Sequence, residues 1–381
     1  MATRLRKAGE PMARVVVGMS GGVDSSVAAA LLKEQGYDVV GIMLRLWAEP
    51  PADGADEDTA PARENACCSI ESMSDARRVA AQLDIPFYVI NVEEPFRETI
   101  VDYFYDEYRA GRTPNPCLRC NRTIRFTLLL ERALALGADY LATGHYVRVD
   151  DDPVTGLRRL RRASDAAKDQ SYVLHVLSQY QLSHALFPLG EYTKPEVRAM
   201  AAERGLPVAT KAESQEICFV AANDYRGFVR RYAEARGRPA PEPGPILDLS
   251  GRQLGAHSGL ANYTVGQRKG LGIAAREPLH VLQLDGARNA VIVGPAAALE
   301  RECFTVHQTT WTRDTPPVGP AHVEVKVRYK AQPVNGLVTP LPNGRAEVAL
   351  EQPIRAVTPG QAAVFYGGAA GDEVLGGGLI D

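Results

Sequence analysis

The chain has 381 residues, 45% hydrophobic and 23% charged, with 43 Lys and Arg against 46 Asp and Glu for a formal net charge of −3. At roughly 150 residues per domain this length predicts two or three domains with a sizeable core. The ordinary composition excludes a wholly disordered, collagen-like or membrane-embedded chain, and the charge balance excludes a uniformly basic coat but not a local basic patch.

The N-terminal stretch Met1–Glu10 carries Arg4, Arg6 and Lys7 with no apolar run behind them. It reads as a short mobile tail, not a secretory signal, and Met12 is an alternative start. The longest apolar stretch, near Ala290–Leu299, falls far short of the ~20 residues that span a bilayer, so no membrane partner is expected. Six cysteines are too sparse for a disulfide scaffold and point to a reducing cytoplasm.

Strand and helix signals alternate along the first part of the chain. Val15–Val17 is a short β-branched run before a glycine-rich turn. A helix is expected from Asp24 to Gln35, stopped by Gly36. Val39–Leu46 reads as a second buried strand. Glu49–Asn65, acidic and carrying Pro50, Pro51 and Pro61, reads as a mobile surface insertion. Helices are expected over Ser72–Leu83, Glu94–Ala110 and Arg122–Leu136, and strands at Phe87–Val92 and Tyr140–Thr143. Such alternation predicts a parallel sheet with helices on both faces. The stretch Ala212–Arg276 is mixed, with a Pro-rich, linker-like segment at Arg238–Pro245. Beyond it, His280–Leu284 and Ala290–Val293 flank the turn signal Asp285-Gly286 and read as a hairpin. In Ala321–Tyr329 apolar and polar residues alternate, the pattern of a half-buried strand. With Ala346–Leu350 and Ala362–Tyr366 they predict a small β-barrel.

The string from Gly18 to Ser26, GMSGGVDSS, lies between the first strand and the first helix. Gly21 and Gly22 allow tight turns and close approach of a ligand. The helix N-terminus that follows offers unpaired N–H groups and partial positive charge, which suit a pyrophosphate. Ser20, Ser25 and Ser26 add hydroxyl donors, and Asp24 or Ser25 is the expected N-cap. No GK[ST] follows, which excludes a Walker A loop, and no GxGxxG indicates a dinucleotide fold. The string resembles the PP-loop of the ATP pyrophosphatases, which cleave ATP between the α and β phosphates and adenylate an oxygen.

The segment Thr113–Asn121 holds Cys117-x-x-Cys120 behind two prolines that enforce an extended approach. With Asn121 as the expected cap, Cys120 lies near a helix N-terminus and close to Arg119, Arg122 and Arg125, features that favour a thiolate. A third thiol, Cys218, follows Ser214-Gln215-Glu216-Ile217. The plainer readings are a zinc pair for Cys117 and Cys120 and an inert buried thiol for Cys218. Cys67-Cys68 could complete a zinc site only awkwardly, and Cys303 reads as core.

Seven ordered segments extend the resemblance over nearly the whole chain: GMSGGVDSS, AGRTPNPCLRCN from Ala110, GADYLATGHY from Gly137, KDQSYVL from Lys168, ICF from Ile217, TVGQRKGLG from Thr264 and TPGQAAVFY from Thr358. Together they resemble the bacterial tRNA-specific 2-thiouridylase (MnmA, TrmU) family. That resemblance implies an α/β fold: a Rossmann-like PP-loop domain over 1–211, a small central tRNA-contact domain over 212–276 and a C-terminal β-barrel over 277–381. It implies a transferase that adenylates O2 of uridine 34 with ATP and Mg2+ in the tRNAs for Lys, Glu and Gln, then inserts sulfur. Cys218 would carry the persulfide and Cys120 would be the nucleophile, the two cycling through a disulfide. An upstream sulfur-relay protein or cysteine desulfurase would supply the sulfur.

The resemblance assigns nucleotide contacts to Gly18, Met19, Ser20, Gly21, Gly22, Val23, Asp24, Ser25, Leu44 and Gly144. It assigns the target base to Asn115, Pro116 and Cys117, and tRNA (the anticodon stem-loop) to His145, Lys168, Asp169, Gln170, Arg328, Tyr329 and Gln361. Arg158, Arg159, Arg161 and Arg162 are expected to form a phosphate-binding strip, since Arg and Lys carry most nucleic-acid affinity. The target base must leave its stack to reach the thiols. One departure stands out: the better-known pattern has Asp where this chain has Cys117. Cys117, Cys120 and Cys218 could then hold a [4Fe-4S] cluster with an open iron for sulfide, which excludes their persulfide and disulfide roles. Two further alternatives are a PP-loop ligase acting on a small metabolite and a non-catalytic tRNA- or cluster-binding protein.

Overall fold

The computed structural model describes residues 12–49, 69–213, 217–220, 224–355 and 357–381. Met1–Glu10, most of the acidic insertion, Cys67-Cys68 and 214–216 lie outside them.

Val15–Val17 form the centre of a parallel sheet because they are apolar on both sides. In β1 (Arg14–Gly18) the side chains of Val15 and Val17 point to one face and Val16 to the other, all at most 1% exposed. A strand buried on both faces reads as a continuous apolar run. β1 pairs in parallel with β2 (Asp38–Arg45) and β4 (Tyr140–Ala142). β3 (Phe87–Asn91) and β7 (Ala185–Leu186) complete the order β3-β2-β1-β4-β7. Val15 and Val17 pack with Val27 of α1 (Val23–Glu34), Val79 of α2 (Ile70–Gln82) and Val197 of α7 (Lys194–Glu203). Val16 packs with Phe126 and Leu129 on the other face.

Two helices differ from their expected form. The helix read over Glu94–Ala110 runs from α3 (Glu93–Phe96) through a π-helical segment (Arg97–Val101) into α4 (Asp102–Arg109). The helix expected to start at Arg122 starts at Pro116. Asn115 is its cap, accepting from the Cys117 N–H at 3.1 Å, and Pro116 occupies the first helical position, which suits a residue without an N–H. α5 (Pro116–Cys120) continues through a π-helical segment (Asn121–Leu129) into α6 (Leu130–Ala135). Asn121, expected as the cap, is instead fully buried within the helix and donates to the Val173 carbonyl.

Strands β12 (Glu300–Trp311), β13 (Ala321–Lys326), β14 (Val334–Leu341), β15 (Arg345–Arg355), β16 (Ala362–Gly367) and β17 (Glu373–Ile380) form an antiparallel barrel closed by pairing of β12 with β17. Closure removes the sheet edges. Cys303, expected in the core, is exposed. The alternation that turns Phe304 and Val306 toward the barrel core turns Cys303 away from it.

The expected hairpin forms from β10 (His280–Asp285) and β11 (Ala290–Gly294), but not as part of the barrel. It joins β8 (Gly244–Leu247) and β9 (Gln253–His257) in a separate four-stranded sheet. The barrel instead recruits a hairpin from the N-terminal part: β5 (Val147–Asp151) pairs with β6 (Arg158–Arg162), and β6 pairs with β17. Val147 and Leu160 of that hairpin share one apolar cluster with Val16 of the parallel sheet and with Val364 and Tyr366 of the barrel. Sheet and barrel are therefore bound by common core.

Phe365 is fully buried in the barrel core beside Trp311. Phe365→Ala should cost about 3–5 kcal/mol, seen as an earlier denaturant-induced loss of barrel structure by near-ultraviolet circular dichroism.

Candidate active site

The glycine-rich loop lies between β1 and α1, where neighbouring backbone crowds it. Gly21 has φ +69°, and a Cβ there would stand 2.1 Å from the Ser72 carbonyl oxygen. A Cβ on Gly144 would meet the backbone of Asp24 and Ser25 at 2.8 Å. Gly22 is the N-cap of α1 and supplies no side-chain bond. Neither Asp24 nor Ser25 caps, because both side chains have other work. The Ser25 hydroxyl accepts from the Ser20 N–H at 3.2 Å, and the Ser26 hydroxyl donates to the Gly22 carbonyl at 2.8 Å. The Asp24 carboxylate accepts from the Tyr146 hydroxyl at 2.7 Å and from Lys194 Nζ at 2.6 Å. Met19 and Val23 have buried side chains, so only their backbone can meet a nucleotide. Leu44 is the penultimate residue of β2 and Gly144 lies two residues past β4, both at the carboxyl edge of the sheet, where open α/β sheets bind ligands.

Lys194 also reaches Glu213 Oε1 at 3.0 Å, and Glu213 Oε2 receives Lys168 Nζ at 2.6 Å. Burial pushes the Glu213 carboxyl up, but the two lysines outweigh it and hold it below its ordinary range. Burial, then the Asp24 charge, pushes the Tyr146 phenol far up, so it remains a donor. The neighbours of Lys168 are structural. Asp169 accepts from the backbone of Ala163 and Ser171 and from the Ser171 hydroxyl. Gln170 accepts from the Tyr146 N–H.

Helix α5 carries two of the thiols three residues apart, a spacing that places them as neighbours along one helix face. Cys117 lies in its first turn and is exposed, so the N-terminal field expected at Cys120 acts at Cys117. Cys120 is buried among Phe96, Ile100 and Phe104. Cys218, half-buried, packs against that same cluster. Its neighbour Phe219 is 1% exposed and meets the rings of Phe96, Phe104 and Phe228 edge-on. Among the described residues no three His, Cys, Asp or Glu side chains are grouped to hold a metal. Cys117, Cys120 and Cys218 are among the residues that form no such group, Cys120 lying in the apolar cluster and Cys117 exposed.

The expected phosphate-binding strip is a set of internal ion pairs. Arg158 pairs with Asp151 at 2.9 Å and Arg159 with Asp150 at 2.8 Å. Arg161 meets Asp150 at 3.0 Å and Asp372 at 2.8 Å, and Arg162 meets Glu324 at 2.8 Å. The reason is register: β5 sets Asp150 opposite Arg159 and Asp151 opposite Arg158. Arg158 and Arg159 thus pair within the hairpin, while Arg161 and Arg162 join it to the barrel.

His145 packs against the rings of Phe126 and Phe187, with Nδ1 2.8 Å from the Thr143 hydroxyl. Burial, helped by the Arg125 charge, pushes its pKa down to about 3, so the ring is neutral. Gln361 donates to the Thr113 carbonyl at 2.8 Å, and the Thr113 N–H donates to the Pro359 carbonyl at 2.9 Å. The barrel thus grips the loop that leads to Cys117. Arg328 lies just past β13, not on a strand face, and donates to the Thr358 hydroxyl and the Val265 carbonyl. Tyr329 is 37% exposed, its ring edge-on to Tyr172.

Family models match the chain as a tRNA methyl transferase HUP domain over residues 13–222, a tRNA methyl transferase PRC-barrel domain over 230–295 and an aminomethyltransferase beta-barrel domain over 301–380. The tRNA-specific 2-thiouridylase MnmA of Chloroflexus aggregans is 52% identical over 372 residues, covering 97% of this chain and 98% of its own. That of Moorella thermoacetica is 51% identical over 368 residues, covering 96% and 99%. The chain belongs to the tRNA-specific 2-thiouridylase MnmA family. Solved structures resemble it more loosely. The U34-tRNA thiolase NcsA from Methanococcus maripaludis, solved with its [4Fe-4S] cluster, has 18% identity and a TM-score of 0.32 over 59% of this chain and 66% of its own.

Within this MnmA-family site, sequence reading missed Tyr146, Lys194 and Glu213. Lys194 left one trace. It is the first residue of a helix opened by the Thr193–Glu196 capping box, where the macrodipole disfavours a cation.

Gly144→Ala should weaken ATP binding by at least ~10-fold, about 1.4 kcal/mol, in isothermal titration calorimetry, because its Cβ would push into the start of α1. For His145 the folded pKa lies below the unfolded one near ~6.5. Between those values the unfolded chain binds a proton that the folded chain refuses, so stability falls as pH drops from about 6.5 toward 3. His145→Gln should make that loss shallower in denaturant titrations. Some slope will persist, since burial also pushes His175 down to about 4.

Proposed function

We propose that this chain is an ATP-dependent transferase that replaces O2 of uridine 34 with sulfur in the tRNAs for Lys, Glu and Gln. The observation that carries the reading is the meeting of Cys120 and Cys218, distant in sequence, at one apolar cluster. That cluster also takes in Leu44 and Ile90, from the ends of two strands of the sheet that presents the glycine loop.

In this reading MgATP is the substrate, its phosphates seated on the loop from Gly18 to Ser25 and the start of α1. Uridine O2 attacks the α-phosphorus, pyrophosphate leaves and C2 becomes electrophilic. The terminal sulfur of a Cys218 persulfide attacks C2 and AMP departs. The Cys120 thiolate then attacks Cys218 Sγ. The sulfur–sulfur bond to the base breaks, 2-thiouridine is released and a Cys120–Cys218 disulfide forms. Two electrons from an external dithiol regenerate the thiols, and a cysteine desulfurase or relay protein reloads Cys218. A reducing cytoplasm suits this cycle, and no helix among the described residues is long and apolar enough to cross a membrane. Asn115 and Pro116 shape the approach to Cys117, which lines the base pocket. Lys168, Arg328, Tyr329 and Gln361 form or brace the RNA face, with His145 as a neutral contact.

Incubation of the purified protein with unmodified tRNA, ATP and a persulfide donor should yield 2-thiouridine at position 34 by mass spectrometry. No thiolated nucleoside under these conditions would overturn the reading. Cys218→Ser should abolish product while keeping ATP affinity. Asp24→Ala should weaken ATP binding and leave tRNA binding within about twofold. Protein purified without oxygen should be colourless and free of acid-labile sulfide while still thiolating from the persulfide.

A further inference from the structure

Glu213 belongs to none of the motifs above, yet it stands between the two ends of the site. Its carboxylate is divided, with Oε2 on Lys168 at 2.6 Å and Oε1 on Lys194 at 3.0 Å. Lys194 reaches on to Asp24 of the nucleotide loop at 2.6 Å. The charges therefore alternate along Lys168, Glu213, Lys194 and Asp24. The inner two are shared, and Lys194 is nearly enclosed, its side chain 8% exposed. A buried cation keeps its charge only with partners, so it must follow whichever carboxylate is available. The outer end is open: the Lys168 side chain is 31% exposed.

We propose that Glu213 is a positioning residue that couples RNA binding at Lys168 to the geometry of Asp24 in the nucleotide loop. The inference rests on the RNA-facing role of Lys168 given above. A phosphate oxygen competes with Glu213 for the Lys168 ammonium through charge-assisted hydrogen bonds. As Lys168 turns outward, Glu213 keeps Lys194 as its remaining cation among the described residues. The Lys194 ammonium shifts toward Glu213 and its hold on Asp24 changes. Because the coupling is a free energy, ATP must alter tRNA affinity by the same factor by which tRNA alters ATP affinity. A purely structural ion pair would make no such link.

The test measures ATP affinity, with a non-hydrolysable analogue, in the absence and presence of saturating tRNA. In the wild-type protein tRNA should change the analogue Kd by at least ~5-fold, the lower end of ordinary coupling. In Glu213→Gln, with tRNA and analogue each still bound alone, the change should fall below about twofold. Lys168→Met, altered at the exposed end, should also lose the coupling, whereas Lys168→Arg should keep it. Circular dichroism melts confirm that each variant is folded. If wild-type Kd values with and without tRNA agree, or if Glu213→Gln retains the full factor, the inference is wrong while the thiolation reading stands. If the wild-type protein binds no tRNA in filter binding, both fall.

Discussion

An ammonium group held away from water organises the nucleotide end of this protein. Lys194 lies at the start of α7, the wrong end of a helix for a cation, with its side chain 8% exposed. Such a charge persists only if carboxylates surround it. Asp24 and Glu213 do so, and Asp24 is further held by the Tyr146 hydroxyl. The glycine loop, the strand end that carries Gly144 and Tyr146, and the helix from Lys194 are thereby drawn to one point. Apolar packing of α1 against α7 brings the backbones near, and the ion pair sets which side chains face each other.

The second half of the site depends on the barrel, which holds the loop leading to the thiols. Gln361 and Pro359 bond both backbone groups of Thr113, just before Asn115 caps the helix that bears Cys117 and Cys120. The barrel's own placement is secured by β6 on β17 and by the Arg–Asp pairs across that seam. Partly exposed pairs of this kind contribute little stability one by one. Their value here is register, since a slip of one residue would turn every arginine to the other face.

The cysteines illustrate why exposure and reactivity must be read separately. Cys117 is accessible and lies at a helix start; Cys120 is enclosed by aromatic and aliphatic side chains. Cys218 is half-buried, and its neighbour Phe219 anchors it in the same cluster through edge-on ring contacts. The cysteine at position 117 assembles no metal-holding group among the described residues.

The local elements were legible because their causes are local. The valine run, the glycine string, the Gly36 stop and the alternation that begins at Ala321 each follow from a periodicity or a backbone preference, and all are present, the last as a strand that ends at Lys326. The ordered motifs sufficed for the family. What the sequence could not decide were matters of pairing between distant segments. Four nearby arginines look the same whether they face phosphate or carboxylate, and only the β5–β6 register and the approach of β17 commit them to acids. A hairpin carries no mark of which sheet it will join, so β10 and β11 went to β8 and β9. Lys194 and Glu213 are ordinary residues in sequence. They became part of a site because folding enclosed their charges together, and a buried charge is the one feature whose meaning depends wholly on what surrounds it.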